Sequence, residues 1–378
     1  MSIFAQLTPP VLPEGTARLR AELREFLAES RRTLGWTPNS NFIGVFLAEF
    51  SRALGARGYL GVTWPKDYGG QARSALDRYI VTEELLAAGA PCAAHWVADR
   101  QSGPLLLRFG SEAQRRELLP GIARGEYFFS IGMSEPDAGS DLAAVRTRAT
   151  RTPKGWRIDG AKVWTSNAHL NHYAITLCRT GPAGDSRHEG LSQFLIDLKA
   201  DGVRINPILN LLGDHEFNEM VFDGTEIPAD RLIGQEGDGW TQVRSELAFE
   251  RSGPERFFGT FHLLTSTVEV ARARDDKAAE RALGRLIVHF LSLRSLSLAV
   301  AGILQQGGDP GVAAALVKDL GARFELDVLE VARDLMPGAA ETPDDALGRA
   351  ILQVPSYALR GGTPEIMRSI IARELGLR

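Results

Sequence analysis

Glu250 is a carboxylate within an otherwise apolar helical pattern. Apolar residues recur at steps of four and three on both sides of it: Val243, Leu247, Pro254, Phe257, Phe261, Leu264 and Val268. This spacing predicts one buried helix face, with a kink at the proline. Burial raises the pKa of a carboxyl group and makes it a stronger base. Glu250 is therefore a candidate catalytic base; the alternative is a structural ion pair with an arginine.

A second candidate site is the segment 133–141 (MSEPDAGSD), together with Trp164. Small residues and hydroxyl groups let backbone N–H groups approach a planar polar ring or a phosphate. An indole offers a large flat face for aromatic packing. The alternative is a Gly/Asp turn beside a core tryptophan.

Two familiar kinds of site are not indicated. His169 and His172 have a spacing that can bind a metal, but no cysteine or carboxylate ligand set surrounds them, so no metal site is predicted. No G-x-G-x-x-G segment follows a strand, and no P-loop motif occurs. A nucleotide cofactor must bind in another way.

The elements that position these residues fall into three blocks. Helical spacing runs from about residue 14 to 128, strand-like alternation from about 129 to 235, and helical spacing again from Trp240. We predict an α+β fold with an N-terminal helical domain (1–128), a middle β-barrel or sandwich domain (129–236) and a C-terminal helical bundle (237–378).

Composition excludes several classes of protein. The chain has 378 residues, 44% hydrophobic and 24% charged, with a formal net charge of −4, so we expect a multi-domain enzyme that does not bind nucleic acid. Two cysteines, Cys92 and Cys178, favour a reducing compartment. Neither a targeting segment nor a membrane-spanning stretch is expected, and a cytoplasmic location is predicted.

Four ordered motifs resemble those of the acyl-CoA dehydrogenase family, over nearly the whole chain. They are WPKDYGG (64–70), MSEPDAGSD (133–141), KVWTSN (162–167) and GGTPEIMRSIIARE (361–374). The resemblance implies FAD as cofactor, an acyl-CoA substrate and removal of hydrogens from its α and β carbons.

The resemblance also implies roles for residues on the flavin side. Met133 and Ser134 would lie against the flavin pyrimidine, and Trp164 beside the isoalloxazine. Ser166, where relatives usually carry threonine, would bond near the hydride-accepting N5, and Thr165 belongs to the same cofactor segment. The remaining residues are Ser140, facing phosphate or pantetheine, and Thr363 and Glu365, matching cofactor contacts although relatives usually carry glutamine at the second.

Gly361 stands where many relatives carry the catalytic glutamate. Isovaleryl-CoA and long-chain acyl-CoA dehydrogenases instead have Glu-Arg on an earlier helix, which Glu250 and Arg251 resemble. Glu250 would then be the base, and the backbone N–H of Gly361 would bind the thioester carbonyl. Arg251 would serve the CoA side of the pocket or orient Glu250. Trp96, Asp99 and Arg100 would line the acyl pocket; core packing is the alternative.

Two motifs that relatives use to grip a neighbouring subunit's FAD are not legible in the segments 271–285 and 331–345. Bacterial relatives acting on sterol side chains form unlike pairs that share one flavin. We therefore expect an oligomer, either with a homologous second subunit or with itself.

The sequence is compatible with three functions. The first is a dehydrogenase that passes electrons to an electron-transfer flavoprotein, the second an oxidase using O₂, and the third a non-catalytic or half-site subunit. The acyl group is not fixed, since branched, long and polycyclic chains all suit a base on the earlier helix.

Overall fold

Helices occupy both ends of the chain and strands its middle. The computed structural model describes residues 7–251, 253–273, 276–336 and 345–377, apart from the side chains of 247–250. The helices are α1 Thr16–Leu34, α2 Ala48–Ala56, α3 Ala75–Ala87, α4 Ala93–Val97, α5 Gly103–Phe109, α6 Glu112–Ala123, α7 Gly239–Glu250, α8 Phe261–Arg272, α9 Lys277–Gln305, α10 Gly311–Leu335, α11 Ala346–Leu359 and α12 Pro364–Glu374. The predicted α+β class and the order of helices, strands and helices are confirmed.

Eight strands form one mixed sheet. They are β1 Phe129–Gly132, β2 Arg148–Thr152, β3 Gly155–Ser166, β4 Tyr173–Arg179, β5 Leu191–Asp197, β6 Val203–Leu209, β7 His215–Pro228 and β8 Leu232–Ile233. Their order is β6-β7-β3-β2-β4-β5-β8, with β1 pairing β4 in parallel. The β3–β7 register shifts between Lys162 and Thr165, which marks a bulge near the end of β3.

The chain divides into two compact units that are not contiguous in sequence. Unit 1 consists of residues 1–42, 73–91 and 248–378, and unit 2 of residues 43–72 and 92–247. The domain boundaries predicted near residues 128 and 236 follow the changes between helix and strand, and they stay a prediction.

Buried acidic residues join three helices of unit 1. Glu83 and Glu84 of α3 are 4% and 5% exposed, and both pair with Arg20 of α1. Arg24 of α1 also reaches Glu84, at 2.7 Å, and Arg294 of α9 reaches Glu83, at 2.5 Å. Because buried carboxylates need partners, these contacts hold α3 between α1 and α9.

Helix α9 differs from the sequence expectation in one respect. It is long and apolar enough, by length and composition alone, to cross a membrane, whereas no such stretch was expected. Leu283, Leu286 and Leu293 are nonetheless buried, and the helix packs against α3 and α10 within unit 1. A core helix passes the same test of length and composition.

The WPKDYGG motif is a packed turn of unit 2. Trp64 is 2% exposed and lies in a cluster with residues of α5 and α6. A Cβ on Gly103 would stand 2.1 Å from the Trp64 ring, and one on Gly70 2.3 Å from the Trp64 carbonyl oxygen. Glycine is therefore required at both positions by close contact with this tryptophan.

The helical stripe around Glu250 is interrupted, which corrects the expectation of one kinked helix. Helix α7 ends at Glu250, a 3₁₀ turn covers Pro254–Arg256, and α8 begins at Phe261. Proline cannot donate the bond that would continue the helix, and Gly253 before it is extended. The turn brings Glu255 and Arg256 into the interior of unit 1, at 1% and 4% exposure.

Candidate functional site

A buried ion pair supports the MSEPDAGSD loop. Lys162 of β3 has a fully buried side chain, and its Nζ lies 2.8 Å from Glu135 Oε1 and 3.0 Å from the carbonyl oxygen of Met133. The Glu135 carboxylate also accepts the backbone N–H groups of Arg146 and Thr147, at 2.7 and 2.9 Å. Burial lowers the pKa of Lys162 and Glu135 opposes that effect, while Lys162 helps to lower the pKa of Glu135.

Met133 and Ser134 are partly exposed above this pair. Two residues after Lys162, Trp164 has a left-handed backbone (φ +61°) and a side chain that is 61% exposed. A tryptophan at positive φ is a strained conformation, and the bulge in β3 produces it. Only the edge of Phe217 approaches the indole among described aromatic rings, at 6.0 Å, so a broad flat face is left open.

The residues that follow Trp164 point in different directions. Thr165 is fully buried, and its carbonyl accepts a hydrogen bond from Asn218 Nδ2 at 3.0 Å, so its side chain faces the interior of unit 2. Ser166 is partly exposed. His169 Nδ1 and His215 Nε2 both donate to Asn218 Oδ1, at 3.1 and 2.7 Å, and their rings stack 3.7 Å apart. This histidine pair fixes the amide that holds the end of β3.

His172 and Ser140 are the remaining candidate residues near the sheet. The His172 ring accepts the N–H of Phe128 at 3.1 Å and packs among aromatic rings. Among the described residues, no group of three or more His, Cys, Asp or Glu is placed to hold a metal. Ser140 is exposed, and its neighbour Asp141 pairs with Arg187.

The acyl-pocket candidates lie on an irregular helical turn. Residues 98–102 form a π-helix turn between α4 and α5, a feature often found at functional sites. Asp99 accepts the N–H of Gly61 at 2.7 Å, and the Arg100 guanidinium lies 4.6 Å from the centre of the Trp96 ring. Trp96 and Arg100 are each 8% exposed. Their role in a pocket stays a prediction beside this packing.

In unit 1, two arginines hold the glycine turn between α11 and α12. Gly361 and Gly362 have φ values of +74° and +104°, which favour glycine. Arg251 Nε donates to the carbonyl of Gly361 at 3.0 Å, and Arg256 Nη1 to that of Arg360 at 3.3 Å. A Cβ on Gly361 would stand 3.0 to 3.1 Å from the Arg256 guanidinium. The turn is therefore closely packed on its arginine side.

A buried carboxyl group lies behind this turn. Glu325 of α10 is 1% exposed and accepts the N–H of Gly259 at 2.9 Å, with Arg360 Nη2 at 3.8 Å. Burial raises the pKa of Glu325 to about 7, against the opposing effects of Arg360 and Lys318. Lys318, 2% exposed, donates to the carbonyls of Tyr357 and Ala358 at the end of α11.

Thr363 and Glu365 form the start of α12. Thr363 is the N-cap, with Pro364 in the first turn. Glu365 is exposed, and hydrogen bonds from its own backbone N–H and from the Thr363 hydroxyl lower its pKa. A carboxylate here complements the helix dipole. A cofactor contact by either residue stays a prediction.

Some of the predicted features lie outside the described residues. The backbone of Glu250 ends α7, but its side chain is not described. The segments 271–285 and 331–345, where partner-gripping motifs are not legible, are described only in part.

The structure adds residues that sequence reasoning missed: Glu135, Lys162, Arg256, Lys318, Glu325 and Arg360. One signal was available for Lys162. Trp156 and Ile158 occupy the inward positions of β3, and Lys162 falls on the same even-numbered set. A lysine on the buried face of a strand indicates a buried partner.

Comparison with known proteins identifies the same family along the whole chain. Family models match as the N-terminal domain (residues 13–126), the middle domain (130–225) and the C-terminal domain (237–376) of acyl-CoA dehydrogenase. Acyl-CoA dehydrogenase IpdE1 of Mycobacterium tuberculosis is 36% identical over 342 residues, covering 87% of each chain.

Two similar solved structures are each named for two components. The Tcur3481-Tcur3483 steroid ACAD has a TM-score of 0.85 and 29% identity, covering 97% of this chain and 98% of its own. The ChsE4-ChsE5 complex from Mycobacterium tuberculosis has a TM-score of 0.84 and 28% identity, covering 97% and 99%.

Proposed function

Because the chain belongs to the acyl-CoA dehydrogenase family and is therefore an oxidoreductase, we propose that it converts an acyl-CoA thioester to the 2-enoyl-CoA with FAD as acceptor. Glu250 takes the α-proton in this proposal. The bond from Arg251 to the Gly361 carbonyl carries it, since it ties the residue after Glu250 to the position where many relatives carry their base.

The residues present fit a flavin. A ring system needs a flat apolar face and polar groups at its edge, and unit 2 offers the exposed indole of Trp164 with the partly exposed Met133, Ser134 and Ser166. FAD supplies an atom, N5, that accepts the β-hydrogen as hydride. These residues hold and orient the ring in the proposal.

The glycine turn fits the second task, binding the thioester oxygen. Arg256 holds the carbonyl of Arg360, and in a trans peptide the following N–H points the opposite way. The Gly361 N–H is thus directed away from Arg256 and is free to donate to a thioester oxygen. Such a donor stabilises the charge that develops when the α-proton leaves. The proton passes to the Glu250 carboxylate, and its carbon–hydrogen electron pair forms the new double bond.

The first test is anaerobic titration of the flavin-loaded protein with branched, long-chain and steroid acyl-CoA esters, comparing wild type with Glu250→Gln. Wild type should bleach with one class of ester. The variant should bleach at least about a hundredfold more slowly, because a general base contributes about that much.

Glu246→Gln is the matched control for the base. Glu246 lies one turn earlier on α7, is 3% exposed and accepts Gln193 Nε2 at 2.7 Å. Its amide can keep a hydrogen bond to Gln193, so flavin reduction should stay near the wild-type rate. Equal bleaching by wild type and Glu250→Gln would contradict the assignment of the base.

We propose further that the active form is an oligomer, with a homologous second subunit. The Tcur3481-Tcur3483 steroid ACAD and the ChsE4-ChsE5 complex are similar to this chain, and each is named for two components. On α9, Ile287, Val288 and Leu291 are 43%, 66% and 54% exposed, an apolar face that suits a partner. Expression of this gene alone and with a homologous gene tests the idea: an active yellow protein from the single gene contradicts a shared site.

The proposal also names a substrate class and an electron acceptor. One similar structure is named a steroid ACAD, which favours a polycyclic acyl group in the titration panel. Electron-transfer flavoprotein is proposed as the acceptor, in a cytoplasmic location. Rapid hydrogen peroxide release on reoxidation in air would instead support the oxidase alternative.

A further inference from the structure

The Lys162 ammonium is buried against the loop proposed to hold the flavin. Its side chain has no exposed surface, and its Nζ donates to Glu135 Oε1 and to the Met133 carbonyl. Taking such a charge out of water is unfavourable unless its partners are well placed. The arrangement therefore requires a complete set of hydrogen bonds around the pair.

Further hydrogen bonds hold the backbone of residues 133–135 of the loop. The Ser134 carbonyl accepts the N–H of Val163 at 2.9 Å, and the Glu135 N–H donates to the Ala138 carbonyl at 2.9 Å. The Met133 carbonyl is held by Lys162. Within the described part of the chain, these bonds do not involve the N–H or the hydroxyl of Ser134, and Ser134 is partly exposed.

Peptide planarity then sets the direction of the Ser134 N–H. In a trans peptide the carbonyl of one residue and the N–H of the next point in opposite directions. Because the Met133 carbonyl points inward to Lys162, the Ser134 N–H points toward the partly exposed surface. A cation behind the carbonyl also polarises the peptide, which makes this N–H a better donor to an electron-rich atom.

We infer that Lys162 is a positioning residue for the flavin, aiming the Met133–Ser134 peptide at the polar edge of the ring. The inference rests on the proposed function, in which this loop lies against FAD. Acceptance of a hydride adds negative charge to the ring, so a polarised N–H favours the reduced flavin over the oxidised one. Lys162 thus supports both affinity and reduction potential without touching the ligand.

The test compares wild type with Lys162→Met and with the double variant Lys162→Met/Glu135→Gln, in the full chain and with any homologous partner needed to hold FAD. Lys162→Met should bind FAD about tenfold more weakly, a change of about 1.4 kcal/mol. It should also lower the flavin reduction potential by about 30 mV, which for two electrons is a tenfold change in relative affinity.

The double variant separates positioning from stability. With both charges removed, no unpaired charge stays buried, so thermal stability should recover toward wild type while the FAD affinity and potential stay low. Leu118→Ala, a fully buried position in α6, is the matched destabilised control and should leave both flavin properties unchanged.

Three outcomes would contradict either the proposed function or the inference. If wild type binds no FAD, with or without a partner, the proposed function fails and this inference fails with it. If wild type binds FAD and both Lys162 variants keep its affinity and potential, Lys162 is structural only and the proposed function stands. A recovery of the flavin properties in the double variant would equally overturn the inference.

Discussion

At the scale of the residue, buried charges in this molecule hold main-chain carbonyls. Lys162 donates to the Met133 carbonyl, and Lys318 donates to those of Tyr357 and Ala358. A buried ammonium has three donors and no acceptor, so it can fix several carbonyls of a bend at once. Lys162 lies behind the loop that the proposed function places against the flavin, and Lys318 holds the end of α11, just before the glycine turn.

Glu325 gives a prediction about pH. Its pKa of about 7 in the folded protein lies above its ordinary 4.5, so the folded state holds the proton to higher pH than the unfolded chain. The raised pKa of Glu325 does not affect the free energy of unfolding below about pH 4.5. It lowers that free energy progressively as pH rises to about 7, and the loss is then constant. Glu325→Gln removes this dependence.

We expect the stability of Glu325→Gln relative to wild type to improve between pH 4.5 and 7, by at most about 3 kcal/mol. Urea unfolding at several pH values measures the difference. The glutamine can still accept the Gly259 N–H, which limits other changes. A difference that is independent of pH would contradict the raised pKa.

Single residues show what the sequence could reveal of the site. The four motifs were sufficient for the family, which the family models confirm. The roles of Met133, Ser134, Trp164 and Ser166 stay predictions. Arg256 and Glu325 could not be found from the sequence. Each contacts Arg360 from a different element of the fold, and no local sequence pattern reports such contacts.

At the scale of the element, turns rather than helices set the geometry around the proposed base. The kinked helix predicted across residues 243–268 is wrong, because Gly253 and Pro254 end the helical pattern. The apolar residues beyond the end of α7 are nevertheless buried as the spacing predicts, as Phe257 and Leu264 show. Periodicity reports which residues face a core, and it does not report whether one helix carries them.

The glycine turn supports a prediction on stability. Gly361→Ala should destabilise the protein by about 1 kcal/mol for its positive φ, and by a further amount because the buried Arg256 guanidinium must shift by a few tenths of an ångström to admit the Cβ. Gly35→Ala is the matched control, since Gly35 has a φ of +69° at the end of α1 with open space around its Cβ position. Chemical unfolding of both variants measures the difference, and equal losses would contradict close packing at Gly361.

For the molecule as a whole, the apolar face of α9, formed by Ile287, Val288 and Leu291, is a surface that suits a partner. Val288 and Leu291 are more than half exposed and Ile287 is 43% exposed, whereas Leu283, Leu286 and Leu293 of the same helix are buried. Water contact with such a face is unfavourable and is removed by association.

We expect Val288→Glu/Leu291→Glu to reduce the mass of the native assembly, as measured by light scattering, with little change in the unfolding temperature of the separated chain. The matched control is Leu211→Glu, at a 71% exposed leucine in the β6–β7 hairpin, which should leave the mass unchanged. An unchanged mass in the α9 variant would contradict an interface on this face.

The interleaving of the two units has a consequence for synthesis on the ribosome. Unit 2 is complete once residue 247 has emerged, whereas unit 1 needs residues from all three of its segments. Arg294 is synthesised 211 residues after its ion-pair partner Glu83. At a translation rate of about 5 to 20 residues per second, this delay is on the order of 10 to 40 seconds. During that interval α3 lacks the helix that packs against it, so nascent chains should depend on a chaperone until α9 has emerged.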